Sequence, residues 1–209
     1  ARAAEEVGIR NTTIRRNAEI GEGELLEIIA QLNADPDVDG ILVQLPLPRH
    51  IDEDRVIAAI DKGKDVDGFH PLNVAALWQK QPCTLPCTPK GIIRLLEGAG
   101  VEIAGRKAVV IGRSNIVGRP MGLMLLNADA TVTYCHRRTQ DLASFTRQAD
   151  ILIVAAGSPR LIRGDMVKDG AVVIDVAMNR DPETGKFFGD VCFDEVEPCL
   201  LYTSPSPRD

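Results

Sequence analysis

An α/β fold in two lobes is predicted by three features of this 209-residue sequence. Apolar runs short enough to be strands alternate with helical segments from about Thr88 onward, the pattern that builds a parallel, doubly wound sheet. A glycine-rich turn, Gly112–Pro120, joins one such strand to the helix after it. A separate first half carries its own helices around the apolar run Gly40-Ile41-Leu42-Val43.

The elements follow in order. Ala1–Gly8 is rich in helix formers and ends at a glycine, so it reads as the last turns of a helix. Ile9–Ile20, polar with β-branched residues, reads as a short strand and loop. Between Gly23 and Asn33, Leu25, Leu26, Ile28, Ile29 and Leu32 recur at helical spacing, and Asp35-Pro36-Asp37 stops the chain. The run Gly40–Val43 suits a strand covered on both faces, and Pro46 and Pro48 end its pairing. Arg55–Ile60 is a short helix and Asp65–Asn73 a loop. In the second half, Ile92, Ile93, Leu95 and Leu96 define an amphipathic helix from Thr88 to Gly98, with Pro89 in its first turn. Strands are expected at Lys107–Ile111, Thr131–Cys135, Ile151–Ala155 and Ala171–Val176, with helical segments at Pro120–Asn127 and Leu142–Gln148. The lobes divide near Gln81–Thr88, and a crevice between lobes is where small ligands usually bind.

Composition narrows the function. Hydrophobic residues make up 44% and charged residues 26%, as in ordinary globular proteins. The net charge of −6, with no long basic run, disfavours nucleic-acid binding through phosphate neutralisation. The longest apolar stretch, Ile151–Ala156, is far below the roughly 20 residues that cross a bilayer. Five scattered cysteines with no secretory signal before them fit a reducing, cytoplasmic compartment. Cys83 and Cys87 have no second Cys or His pair, so no metal site is expected.

The sharpest local signal is the turn Gly112-Arg113-Ser114-Asn115-Ile116-Val117-Gly118-Arg119-Pro120. It has the strand–turn–helix setting of a Rossmann-type dinucleotide fingerprint, although serine replaces the second glycine and the spacing is longer. Small residues at Gly112, Ser114 and Gly118 let backbone amides approach a pyrophosphate, and a helix N-terminus favours the anion. An NAD site normally places Asp or Glu at the end of the second strand; here Cys135 leads into His136-Arg137-Arg138. Arginine suits a 2′-phosphate, and Arg113 is placed to close on the same group, so NADP is favoured over NAD. The same arginines also suit a solvated surface.

In the first lobe Gln44 ends an apolar run, where a side-chain amide orients either a polar ligand or a neighbouring side chain. In Asp65-Val66-Asp67-Gly68-Phe69-His70-Pro71 the aspartates suit an Asx turn, a cation, or the paired N–H groups of a heterocycle. His50 and His70 read as structural and Trp78 as a packing residue.

Taken together, Asp39–Pro48, Lys64–Asn73, Pro86-Cys87-Thr88-Pro89, Gly112–Pro120, Val173–Arg180 and Gly189-Asp190-Val191 strongly resemble the bifunctional methylenetetrahydrofolate dehydrogenase/methenyltetrahydrofolate cyclohydrolase family. The resemblance runs from Ala1 to about Pro198. It implies a folate-binding catalytic domain over residues 1–86, lacking its N-terminal part, and a Rossmann-type NAD(P)-binding domain over 87–198. It implies NADP-dependent oxidation of 5,10-methylenetetrahydrofolate, then hydrolysis to 10-formyltetrahydrofolate, in one-carbon metabolism that feeds purine biosynthesis. Asp67 would anchor the pterin and Gln44 would orient the catalytic lysine. Val43, Leu45 and Pro46 would line the folate slot. Gly112, Arg113 and Ser114 would hold the NADP phosphates, with Met178 against the nicotinamide, while Arg137 is assigned to the cofactor by its place after the second strand. A homodimer through the cofactor lobe is implied, in the cytoplasm or, in a eukaryote, the mitochondrion.

The departures are at the ends and at Arg137, where serine is frequent and an NAD-using branch carries arginine nearby. The family's Tyr-x-x-x-Lys helix aligns so that its lysine falls just before Ala1, and Arg2 would face another side of that helix. Residues 199–209 match neither the family's Pro-Val-Pro-Gly-Gly-Val-Gly-Pro stretch nor its closing helix, so truncation at both ends and a disordered or artefactual tail are expected. Two other readings stand beside the enzyme: an NADP-binding remnant impaired by loss of the lysine, and a Rossmann oxidoreductase of other specificity.

Overall fold

Two compact units make up the chain, Ala1–Val66 and Asp67–Asp209, in a computed structural model that describes residues 2–200. Most of the expected tail therefore lies outside the described residues.

In the first unit, α1 (Arg2–Glu6), α2 (Glu22–Ala34) and α3 (Glu53–Ala59) are joined by extended chain. Ile29 of α2 and Val56 of α3 are buried together with Ile20, Ile41, Ile51 and Ile60. Asp52 caps α3, its carboxylate accepting from the Arg55 amide at 3.2 Å, which satisfies one of the orphan donors of the first turn. At the other end of α2, Lys64 Nζ donates to the carbonyls of Leu32, Asn33 and Asp35 at 3.0, 2.8 and 2.7 Å. A cation there offsets the negative helix end and pairs carbonyls that lack intrahelical partners. The strand expected at Gly40–Val43 is reduced to one parallel bridge, Ile41 to Asp65. Leu42 is 58% exposed, so the run is not covered on both faces. Ile9–Ile20 holds no strand either.

The second unit begins with α4 (Pro71–Trp78) and α5 (Cys87–Gly98). The end of Asp65–Asn73, expected as loop, is helical: Pro71 occupies a first-turn position of α4 and the His70 ring accepts from the Leu72 amide. Trp78 is 70% exposed and does not pack as expected. Leu77 of α4 does pack, with Leu123 and Met124, and its carbonyl accepts from Asn127 Nδ2 at 3.0 Å. This packing places α4 in the second compact unit, which begins at Asp67.

Then come β1 (Lys107–Ile111), α6 (Gly118–Asn127), β2 (Thr131–Cys135), α7 (Leu142–Thr146), β3 (Ile151–Val154) and β4 (Val172–Asp175). The four strands form one parallel sheet in the order β2-β1-β3-β4. Alternate residues feed two cores. Val110 and Ile153 face Leu96, Met121 and Leu125, whereas Val109, Leu152 and Val154 face Ile162 and Val196. A hairpin, β5 (Asn179–Arg180) with β6 (Phe187–Phe188), and the short α8 (Phe193–Val196) follow. The chain stays packed through Leu200: Gly170 N donates to Cys199 O at 2.8 Å and Leu200 bridges to Ala171. The boundary expected at Pro198 thus falls short of the packed chain.

Candidate dinucleotide and folate site residues

The parallel register brings Ile111, Cys135, Val154 and Asp175 to one edge of the sheet, the carboxyl end where open α/β sheets bind ligands. The segments leaving these residues are the Gly112 turn, His136–Arg138, Ala155–Gly157 and Val176–Met178.

The turn after β1 is shaped by steric necessity. Gly112 has φ of 123°, and a Cβ there would strike the Ala155 carbonyl. A Cβ on Gly118 would strike the Gly112 carbonyl and lie 2.8 Å from the Arg113 amide nitrogen. Ser114 Oγ accepts from the Val117 and Gly118 amides, each at 3.2 Å, and closes the loop onto α6. The amides of residues 113–116 meet no protein acceptor among the described residues. A tight loop with unpaired N–H groups before a ten-residue helix fits the pyrophosphate of a dinucleotide.

Arg113 and Arg137 are both exposed, and neither joins an ion pair among the described residues. Arg137 leaves the end of β2, beside Gly112, whose amide donates to Cys135 O at 2.9 Å. Burial pushes the Cys135 thiol pKa up, which makes it an inert packing group, not a nucleophile.

On the other side of Gly112 lies a carboxylate network that sequence reasoning did not assign. The Asp190 side chain is fully buried. Its Oδ2 accepts from the amides of Ala156 and Gly157 at 2.9 and 2.8 Å, and its Oδ1 from Asn179 Nδ2 at 2.9 Å. Asp175 accepts from the amides of Ala177, Asp190 and Val191 at 3.3, 3.1 and 2.9 Å. Burial raises the Asp175 pKa, and the nearby Asp190 charge adds to the rise. Met178, 70% exposed, is flanked by Ala177 and Asn179, one residue held by each carboxylate. The only sequence signal was the motif Gly189-Asp190-Val191, which says nothing of these partners.

Gly122 was also missed. A Cβ there would overlap the Tyr134 ring, so α6 lies close against β2 only because this position is glycine. The Gly118-x-x-x-Gly122 spacing was the available signal.

Asp67 is half-buried, and the following turn is fixed: Gly68 has φ of 71°, and its Cβ would lie 2.5 Å from the Thr84 carbonyl oxygen. In the first unit Gln44 is exposed, with its Nε2 donating to Leu45 O at 2.9 Å. Pro46 follows a cis peptide bond and is exposed, Leu45 is half-buried, and Val43 packs against the unit's own core. His50 is tied to the Ile20 carbonyl at 2.8 Å, a structural contact.

The sheet edge, the glycine-serine turn and the flanking arginines define a Rossmann-type dinucleotide-binding protein. More particularly, the chain belongs to the tetrahydrofolate dehydrogenase/cyclohydrolase family. Residues 86–209 match that family's NAD(P)-binding domain and residues 1–67 its catalytic domain. The bifunctional protein FolD of Lactococcus lactis subsp. cremoris is 53% identical over 207 residues, which is 99% of this chain and 72% of the relative. That of Geobacillus thermodenitrificans is 56% identical over 206 residues, again 99% of this chain and 72% of the relative. The crystal structure of the Campylobacter jejuni FolD methylenetetrahydrofolate dehydrogenase/cyclohydrolase superposes with a TM-score of 0.95 at 52% identity, covering 99% of this chain and 73% of that one. The Trypanosoma brucei enzyme, solved with NADP cofactor and inhibitor, gives 0.91 at 39% identity, with 99% and 72% covered.

Proposed function

We infer that the protein is a bifunctional enzyme of one-carbon metabolism, oxidising 5,10-methylenetetrahydrofolate with NADP and hydrolysing the 5,10-methenyl product to 10-formyltetrahydrofolate. The observation that carries this reading is the family match across both units, at more than half identity to FolD proteins over nearly the whole chain. NADP, when bound, supplies the acceptor for the hydride leaving the methylene carbon. Water then adds to the methenyl cation, a proton departs, and the carbon–N5 bond opens to leave the formyl group on N10.

The residues have separate tasks. The amides after Gly112, with Ser114 closing the turn, hold the pyrophosphate. Arg113 and Arg137 pair with the 2′-phosphate, a contact that NAD does not offer. Met178 lies against the nicotinamide, where hydride transfer needs close approach. Asp67 receives the paired N–H groups of the pterin, and Gln44 orients the lysine that the family carries. Val43, Leu45 and Pro46 line the folate slot. Five free thiols support a reducing cytoplasm as its setting. Among the described residues no helix is long and apolar enough to cross a membrane. A homodimer through the cofactor domain belongs to the same reading.

The test uses the full gene product. NADPH should form with 5,10-methylenetetrahydrofolate, and the methenyl absorbance should decay to the formyl product. Asp67→Ala should impair folate binding while NADP affinity stays nearly intact. Failure of NADPH to form overturns the activity, and equal loss of both ligands overturns the role of Asp67.

A further inference from the structure

A dinucleotide laid along the carboxyl end of this sheet runs from β2, where Arg137 stands, across the Gly112 turn to β3 and β4. Its adenosine half therefore belongs to the β2 side and its nicotinamide half to the β3–β4 side. The second side has no glycine fingerprint. Its walls are the chain after β3, Ala155–Gly157, and the chain after β4, Val176–Asn179.

Those two walls share one anchor. Asp190 arrives from a distant segment, held at the end of β4 because its own amide donates to Asp175 Oδ1 at 3.1 Å. A Cβ on Gly189 would overlap the Asp175 carboxylate, so the segment approaches as closely as backbone allows. From that seat one buried carboxylate oxygen takes two amides of the first wall, and the other takes the Asn179 amide of the second. A buried carboxylate is costly to desolvate, and three donors converging on it make it a rigid joint. Asp175 fixes the Ala177 amide on the near side of Met178 and Asp190 fixes Asn179 on the far side.

We propose that Asp190 is a positioning residue for the nicotinamide half of the cofactor, fixing through Ala156, Gly157 and Asn179 the two backbone segments that wall that half and present Met178. This rests on the dinucleotide reading above and adds a division of labour to it. The Gly112 turn and Arg137 serve the adenosine 2′-phosphate and pyrophosphate. The Asp190 joint serves what lies beyond.

The test compares two ligands on the full gene product: NADP, and adenosine 2′,5′-bisphosphate, which lacks the nicotinamide half. Dissociation constants are measured by calorimetry for wild type, Asn179→Ala and Asp190→Asn. Asn179→Ala removes a hydrogen bond to a charged group, so NADP should weaken roughly tenfold. Binding of the bisphosphate should stay unchanged. Asp190→Asn removes the charge and turns an NH2 toward donors on one side of the joint, so it should give a loss at least as large in the same direction. A purely structural role would weaken both ligands by the same factor, and that result, or unchanged NADP affinity in Asn179→Ala, overturns the proposal. Asn179→Ala decides alone if Asp190→Asn does not fold. Wild type binding neither ligand would instead overturn the dinucleotide reading on which the proposal stands.

Discussion

The Tyr134 ring occupies the space that a Cβ on Gly122 would need, with Cε1 only 2.6 Å from that position, and the Tyr134 hydroxyl donates to the Arg119 carbonyl at 2.7 Å. Helix α6 is thus pinned to β2 directly behind the Gly112 turn. Gly122→Ala would force the ring or the helix to move, at a cost of about 1–3 kcal/mol, an overpacking penalty. Urea denaturation should show this loss. The double variant Gly122→Ala/Tyr134→Ala should lose less than the sum of the single variants, because removing the ring removes the collision. Strict additivity would mean that the contact is not shared.

The difference between Gly118 and Gly122 shows what a sequence discloses. Gly118 reads as part of a dinucleotide turn because that turn follows a strand and Gly118 opens a helix, both local signals. The need for Gly122 comes from a ring on the neighbouring strand, and no window around Gly122 contains it. Strands β1 and β3 were legible because Val109-Val110-Ile111 and Leu152-Ile153-Val154 are covered on both faces and so are apolar throughout. Ile41-Leu42-Val43 has the same composition, but among the described residues its β pairing is the single Ile41–Asp65 bridge and Leu42 faces solvent, so composition alone overstated it. Among site residues, Arg113, Ser114 and Arg137 sit next to strand ends and could be read from position. The Asp190 joint unites residues up to 34 apart in sequence and could not.

Lys64 belongs to a motif that resembles the folate-binding signature, yet its ammonium is spent on three carbonyls at the end of α2. Lys64→Met keeps the stem and removes every donor. The half-buried carbonyls of Leu32 and Asn33 then lose their partner, so a loss of about 1–3 kcal/mol is expected. The measurement is the urea midpoint. Lys64→Arg, whose planar fork cannot reproduce three converging donors, should recover only part of it.

Asp150 accepts from Lys168 Nζ and from the Lys107 amide at 3.0 Å, and these bonds hold its carboxyl pKa below the ordinary value. A carboxylate depressed on folding contributes stability above its unfolded pKa of about 4 and loses it as pH falls through the folded value. Asp150→Asn should therefore be less stable than wild type at neutral pH, with the gap narrowing as the solution is acidified below about pH 4. Denaturation midpoints at neutral and acidic pH check this. A constant gap would mean that the bonds to the neutral amide, not the charge, carry the effect.

Arg113 stands in the Gly112 turn and Arg137 just after β2, both exposed, and the 2′-phosphate is the one feature of NADP that NAD lacks. If both pair with it, reversing either charge must act on the difference between the two cofactors, not on dinucleotide binding as a whole. Arg113→Glu and Arg137→Glu should each weaken NADP by roughly ten- to a hundredfold, the range for a charge-assisted hydrogen bond lost and replaced by repulsion. NAD should change far less. Because both groups are exposed, raising the salt concentration should shrink the wild-type preference for NADP and barely alter that of the variants. A variant whose preference ratio matches wild type removes that arginine from the phosphate site. If only Arg137→Glu shifts the ratio, the 2′-phosphate is read from the end of β2 alone, and Arg113 is confined to the pyrophosphate.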